Sequence, residues 1–98
     1  MSVELTVRHT EINEKVQAFA REKADMLVQE FPHIEHVKIV LDKDGPLYLA
    51  TFNVQGGQAC AVESDARGEE FMSAITSAAE KAYTQLRKHA QKRQEVRS

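Results

Sequence analysis

The stretch HVKIVLDKDGPLYLATFNV (residues 36–54) decides the fold of this chain, because it encodes two neighbouring strands and the turn that joins them. On both sides of the turn every second residue is apolar: Val37, Ile39, Leu41, Tyr48, Ala50, Phe52 and Val54. A period of two places such residues on one face of a strand, so they are expected to face a core. The segment Asp44-Gly45-Pro46 supplies the turn. The pattern predicts strands over residues 36–42 and 47–54.

The chain continues this hairpin into a further strand. Gly56-Gly57 predicts a tight turn into a strand over residues 58–64. Either of two alternating pairs in this strand can face the core: Ala59 with Ala61, or Cys60 with Val62. A loop is then expected to open at Ser64 or Asp65 and to end at Gly68.

Upstream of the hairpin, the pattern predicts a strand followed by a helix. Val3, Leu5 and Val7 alternate with polar residues and indicate the strand. Thr10 or Asn13 can cap the helix, and Pro32 stops it because proline disfavours helical geometry at the preceding residue. The apolar residues of this helix are Ile12, Val16, Phe19, Ala20, Ala24, Leu27 and Phe31. Their spacing forms one stripe that faces a core.

The end of the chain predicts a long helix from about residue 69 to about residue 90, followed by a basic tail at about 91–98. With Ile75 at the centre of the buried side, a group of residues falls within roughly 60° of it at about 100° per residue. This group is Phe71, Ala78, Ala79, Ala82, Leu86 and His89.

The predicted order of elements is β-α-β-β-β-α, which makes the chain an α+β protein. The economical arrangement is a four-stranded mixed sheet with two helices packed on one face. The first two strands should run parallel, and the others should form an antiparallel meander. Residues 1–98 are expected to form a single domain. The opposite sheet face would be open to water or to a partner, and its expected occupants are Glu4, Thr6, Arg8, Lys38, Val40, Leu47, Leu49, Thr51 and Asn53.

Charge is segregated along the chain. Residues 81–98 hold six Lys and Arg against one Glu, a net charge of +5, whereas residues 1–80 sum to −7. Such segregation points to a polyanionic partner; the alternative is a solvated helix end, whose cations suit the negative end of the helix dipole. Helical geometry places Lys81, Lys88 and Lys92 on one flank, Gln85 between that flank and the core, and Arg87 on the other flank. Flexible ammonium groups on one flank suit phosphate binding.

Lys23 interrupts the apolar stripe of the first helix. On a helical projection it lies beside Val16 and Leu27 rather than opposite them. Two interpretations stay open: the side chain extends past its neighbours toward water, or its ammonium group binds a partner.

Some classes of protein and site are disfavoured by the sequence. Cys60 is the single cysteine, which favours a reducing cytoplasm, and it is expected to be a packing residue. The chain shows neither a signal-peptide pattern nor an apolar run of membrane-spanning length. His9, His33, His36 and His89 show no metal-ligand or catalytic spacing. We therefore expect no enzyme activity, catalytic residue, metal site, cofactor, membrane association or small-molecule substrate.

Segments along nearly the whole chain match one family in order. They are Arg8-His9-Thr10-Glu11-Ile12-Asn13-Glu14, Lys23 with Leu27 and Phe31, Ile34 and Val37, Gly56-Gly57, Ala74-Ile75, Lys81, and Gln85-Leu86-Arg87-Lys88-His89. In these segments the chain resembles the short ribosome hibernation promoting factors, also described as ribosome-associated translation inhibitors or sigma-54 modulation proteins.

The resemblance implies a noncatalytic domain that binds the small ribosomal subunit in the channel for messenger and transfer RNA. It would inhibit translation during slow growth or stress, with ribosomal RNA as partner and ribosomal proteins as further contacts. The RNA-binding residues would be Lys23, Lys81, Gln85, Arg87, Lys88, Lys92 and Arg93. The alternative is a protein-interaction regulator of the sigma-54 modulation type that uses the open sheet face.

Two features depart from the family pattern. Family members commonly carry a basic residue where Met26 stands and an arginine near Thr84. The first helix here also bears several acidic residues: Glu11, Glu14, Glu22 and Asp25. Fewer cations neutralise fewer phosphates, which makes the salt dependence of binding shallower. Two interpretations of the acidic first helix stay open: it contacts a basic ribosomal protein, or it marks a divergent member of the family with a different partner.

Overall fold

The computed structural model describes residues 2–57 and 60–97, with side chains through His89. Its elements in chain order are β1 (Ser2–Val7), α1 (Glu14–Glu30), β2 (Ile34–Asp44), β3 (Leu47–Gly56), β4 (Cys60–Gly68) and α2 (Phe71–Arg97). This order confirms the predicted β-α-β-β-β-α arrangement. Helix α2 continues through most of the segment predicted as a basic tail.

The four strands form one mixed sheet in the order β1-β2-β3-β4. Strands β1 and β2 are parallel, with Val3 opposite Val37. Strand β3 runs antiparallel to both β2 and β4, with Phe52 opposite Ile39 on one side and Ser64 on the other. Helix α1 contacts β1, β2 and α2, while α2 contacts β3 and β4. Both helices therefore lie side by side on one face of the sheet, as predicted.

The core lies between that sheet face and the two helices. The sheet contributes large apolar side chains that are fully buried, namely Val37, Ile39, Leu41, Phe52 and Val54. The helices contribute mainly small ones: Ala20 and Ala24 from α1, and Ala74, Ala78 and Ala82 from α2. Small residues on the helices let them approach the sheet closely, so the large sheet residues fill the space between the layers.

Local sequence signals account for both ends of α1. Asn13, one of the two predicted caps, accepts a hydrogen bond from the Val16 amide at 2.9 Å. This bond satisfies one of the free backbone donors at the start of the helix. At the other end the Phe31 amide donates to the Leu27 carbonyl, and Pro32 follows. The helix ends there because proline cannot donate the next hydrogen bond.

The two glycine turns have different causes. Gly45 adopts a φ of 61°, a left-handed conformation that glycine reaches without steric cost. Gly56 lies against the start of β2, where a β-carbon would come within 2.6 Å of the His33 carbonyl oxygen. The Gly57 amide donates to that same carbonyl. Gly56 is therefore needed for close backbone approach, beyond the tight turn that the sequence predicted.

Strand β4 corrects one prediction and resolves an alternative. The expected loop at residues 65–68 is wrong, because β4 continues to Gly68 and Arg67 lies opposite Leu49 of β3. The residues on its buried side are Cys60, Val62, Ser64 and Ala66. The alternative of Cys60 with Val62 is thus confirmed as the core-facing pair; Ala61 is exposed, and Ala59 is outside the described residues. Ser64 is accommodated because its hydroxyl donates to the Ala78 carbonyl at 2.8 Å.

The opposite sheet face is open, as the sequence predicted. Each expected occupant is partly or fully exposed. Val40, Leu47 and Leu49 are its apolar members, and all three are half-buried by their neighbours. A few partly exposed apolar residues are ordinary for a protein surface.

The orientation of β4 is testable with one pair of adjacent substitutions. Val62→Asp places a charge in the core, so we expect it to lower the free energy of unfolding by about 3 kcal/mol or more. Ala61→Asp adds the same charge on the exposed side and should cost about 1 kcal/mol or less. Urea unfolding followed by circular dichroism measures both. The reverse ranking would show that Ala61 faces the core.

Candidate nucleic-acid interface

Two polar side chains of α2 lie over the edge strand of the sheet. The Lys81 ammonium donates to the Asp65 carbonyl at 2.9 Å, and the Gln85 amide donates to the Glu63 carbonyl at 3.4 Å. Both acceptors belong to β4. The flank of α2 that carries these residues therefore faces the edge of the sheet, on the side away from α1.

Lys88 lies two turns beyond Lys81 on the same flank and is exposed. Lys81, Gln85 and Lys88 together define the basic flank of α2. The helical projection predicted this grouping. The side chains of Lys92 and Arg93 are outside the described part of the chain, so their predicted contribution stays a prediction.

Arg87 belongs to the other side of α2. It follows Tyr83 by one helical turn, and Tyr83 faces α1. The centres of the Tyr83 and Phe31 rings lie 5.5 Å apart, and the Tyr83 hydroxyl donates to the Glu30 carboxylate at 3.4 Å. Arg87 is exposed beyond this contact. The structure thus separates Arg87 from the basic flank, as the sequence predicted.

Lys23 is also separate from the basic flank. Its side chain is half-buried on the side of α1 that faces α2, and its ammonium lies 5.1 Å from the centre of the Phe19 ring. Attraction between a cation and an aromatic face favours this position. Within the described residues, Lys23 makes no ion pair. Of the predicted RNA-binding residues, the five with described side chains therefore do not all lie on one patch.

An open groove of about 300 Å³ runs between the two helices beside Lys23. We call it the α1–α2 groove; its lining residues are Lys23, Met26, Leu27 and Glu30 from α1, and Thr76, Ala79, Glu80 and Tyr83 from α2. Met26 is 55% exposed, and among the described residues it is the one large hydrophobic residue that is exposed. Sequence reasoning missed this groove. The four lining residues of each helix have the spacing i, i+3, i+4 and i+7, which places them on one side of that helix. This spacing indicates a groove only once the two helices are known to be neighbours.

The segment after β1 is held by a contact to β2. His9 adopts a φ of 59°, and its Nδ1 atom lies 2.8 Å from the Asp42 carboxylate. The hydrogen bond to His9 and a second one from the Lys43 amide hold the pKa of Asp42 below its ordinary value. Both side chains of the pair are on the surface, so this contact orients the segment more than it stabilises the fold.

The described histidines do not converge on a site. The His33 ring lies nearly perpendicular to the Phe31 ring, whereas His36 pairs with Ser2 and Glu4 of β1. Among the described residues, no group of three or more His, Cys, Asp or Glu is placed to hold a metal ion. No described helix is both long enough and apolar enough to cross a membrane.

The fold and the sequence are similar to those of known proteins. The family profile described as sigma 54 modulation protein / S30EA ribosomal protein matches residues 3–94. The ribosome hibernation promoting factor of Pseudomonas putida is 28% identical over 98 residues, which cover 98% of this chain and 93% of that protein.

Two solved structures share the fold. A ribosomal subunit interface protein from Coxiella burnetii superposes with a TM-score of 0.84 at 16% identity, over 92% of this chain and 98% of that one. The N-terminal domain of Protein Y from Thermus thermophilus gives a TM-score of 0.79 at 22% identity, over 91% and 99%. Because the family match extends from residue 3 to residue 94, this chain belongs to the sigma 54 modulation protein / S30EA ribosomal protein family.

Proposed function

We propose that this chain is a noncatalytic, cytoplasmic factor that binds the small ribosomal subunit in the channel for messenger and transfer RNA. By occupying that channel it inhibits translation during slow growth or stress. Family membership supports ribosome association. The observation that carries the RNA-directed part is the basic flank of α2, where Lys81, Gln85 and Lys88 lie together on an otherwise acidic protein.

The basic flank attaches the protein to RNA by charge. Lys81 uses one of its three donors on the Asp65 carbonyl, which leaves two for phosphate oxygens. Lys88 is exposed, and Lys92 and Arg93 continue the basic sequence along α2. Lys92 shares the flank on a helical projection, whereas Arg93 falls on another side of the helix. From Lys81 to Lys92 the helix rises about 17 Å, so this side of α2 can follow an RNA backbone over several nucleotides. Arg87 and Lys23 add separate contacts on the α1 side.

The rest of the protein supplies bulk and selectivity. The two helices and the sheet share one core, which makes a rigid body. Residues 1–80 carry a net charge of −7, which repels RNA in general and restricts binding to a surface that meets the basic end of α2. Translation is inhibited by steric exclusion, because the folded domain and transfer RNA compete for the same space.

A second candidate is a protein-interaction regulator of the sigma-54 modulation type. The observation that favours it is the open sheet face, where Val40, Leu47 and Leu49 are partly exposed. On this proposal the partner is a protein, and the basic flank of α2 is a solvated surface.

Neutralising the basic flank separates the two candidates. In the triple variant Lys81→Gln, Lys88→Gln and Lys92→Gln, we expect the Kd for the small subunit to rise by roughly tenfold or more. The slope of log K against log salt should fall by roughly 2 to 3. Glutamine is chosen because it can still donate to the Asp65 carbonyl, so the melting temperature should stay nearly unchanged. Co-sedimentation at several salt concentrations measures binding.

A matched triple variant on and beside the sheet provides the control. Arg8→Gln, Lys38→Gln and Arg67→Gln remove the same charge from the open side of the sheet, where Arg67 lies opposite Leu49. We expect this control to bind nearly as tightly as the wild type. If the control variant loses binding and the α2 triple variant retains it, the proposal that uses the open sheet face replaces the RNA-directed proposal.

Lys23 is tested by a substitution that keeps its packing. Lys23→Met retains the apolar stem but removes the ammonium over Phe19, so the free energy of unfolding should change by less than about 1 kcal/mol. If the ammonium contacts RNA, the Kd for the small subunit should rise roughly threefold to tenfold. Equal affinity of the two proteins would make Lys23 a residue that only packs against Phe19.

Occlusion makes a further prediction. Purified protein should compete with initiator transfer RNA and messenger RNA for the small subunit, and cell-free translation should fall in proportion to subunit occupancy. Free short RNA should compete poorly because the body of the protein is acidic. Filter binding with labelled transfer RNA measures the competition. Binding of this protein and transfer RNA together to one subunit, with translation unaffected, would refute occlusion.

A further inference from the structure

The two walls of the α1–α2 groove each present one carboxylate. Glu30 lies on the α1 wall and Glu80 lies on the α2 wall. In the described part of the chain, neither carboxylate makes an ion pair with a Lys or Arg. Glu30 receives one long hydrogen bond from Tyr83, at 3.4 Å. Both acids therefore remain open to a cation from outside.

Among the residues that line the groove, the one cation is Lys23, and within the described residues it makes no ion pair with either acid. The Lys23 ammonium lies over Phe19, one turn toward the start of α1, whereas Glu30 lies two turns toward its end. The half of the groove that contains Glu30, Glu80 and Tyr83 is consequently acidic. A phosphate backbone is repelled there, while Lys and Arg side chains are attracted.

The floor of the groove is apolar. Leu27 and Ala79 are buried at its base, Met26 is 55% exposed on one wall, and Tyr83 lines it beside Glu30. An apolar floor between two carboxylates suits a basic side chain, since its aliphatic stem packs on the floor while its charged head meets the acids. The volume of about 300 Å³ is small for a ligand site and suits one or two inserted side chains.

We propose that the α1–α2 groove seats a segment of a ribosomal protein that is rich in Lys and Arg and carries an aliphatic side chain among them. This inference rests on the proposed function and names a partner for the α1 side of the protein. The basic flank of α2 meets RNA on the β4 side. On the α1 side, Lys23 and Arg87 meet RNA near the two ends of the groove, and the part of the groove that carries Glu30 and Glu80 meets protein. Attachment to the subunit thus combines two surfaces of opposite charge on the two sides of one helix.

Charge reversal in the groove gives opposite results for a protein partner and an RNA partner. In the double variant Glu30→Lys and Glu80→Lys, we expect the Kd for the small subunit to rise by roughly tenfold or more, because the basic segment is repelled. If the groove faces ribosomal RNA instead, the same variant must bind more tightly. Tighter binding would overturn the inference.

The control variant changes the same charge elsewhere. Asp44→Lys and Glu69→Lys are both exposed and lie outside the groove, so any general gain of attraction to the ribosome appears in this variant as well. The single variant Glu80→Lys is measured in parallel, because it leaves the contact between Tyr83 and Glu30 intact. It should weaken binding in the same direction, and unchanged or tighter binding of this folded variant also overturns the inference.

Cross-linking on the ribosome identifies the occupant directly. The photoreactive residue p-benzoylphenylalanine replaces Met26 in the full chain, and a second protein carries it at the exposed Thr84 of α2. After irradiation of the complex with the small subunit, the Met26 probe should yield a protein adduct that survives ribonuclease and contains a basic peptide. The Thr84 probe should not yield that adduct.

The outcomes separate this inference from the proposed function. In one outcome the wild-type protein binds the subunit, but the Met26 probe cross-links to ribosomal RNA alone or to nothing. This outcome overturns the inference about the groove and leaves the proposed ribosome binding in place. Wild-type protein that does not co-sediment with the small subunit refutes the proposed function, and the inference falls with it.

Discussion

The structure depends on one packing constraint: two helices bury their apolar stripes against the same face of one sheet. The sheet contributes large side chains such as Phe52 and Ile39, and the helices contribute alanines such as Ala24 and Ala78. Because bulk lies on the sheet and small residues lie on the helices, each helix has little freedom to rotate about its own axis. That restriction determines the direction of every polar side chain on α1 and α2.

The rotation of α2 places different chemistry on its two sides. Toward β4 it presents Lys81 and Lys88, and toward α1 it presents Glu80 and Tyr83. A uniform basic helix would attract any RNA, whereas this arrangement attracts a surface on which anionic and cationic regions lie a helix diameter apart. The overall net charge of −2 conceals this pattern, because opposite charges cancel in the sum. Specificity here lies in the distribution of charge.

Sequence patterns anticipated the parts of the fold that depend on local periodicity. The β2–β3 hairpin, the Asn13 cap and the basic flank of α2 follow from spacing within one element. Strand β4 was predicted to end too early because the exposed residues Asp65 and Arg67 resemble a polar loop, although polar residues on an exposed side are normal for a strand at a sheet edge. The α1–α2 groove was missed for a different reason. It depends on how two helices far apart in sequence lie beside each other, and no pattern within either helix contains that information.

The hydrogen bonds from Lys81 and Gln85 to the carbonyls of β4 bear on how the free protein behaves in concentrated solution. An uncovered edge strand offers its backbone to strands of other molecules, which leads to aggregation. Here the side chains proposed to bind RNA also cover two of those carbonyls. Loss of both would expose the edge as well as weaken attachment. Selection acting on ribosome binding would therefore also maintain the colloidal stability of the unbound protein.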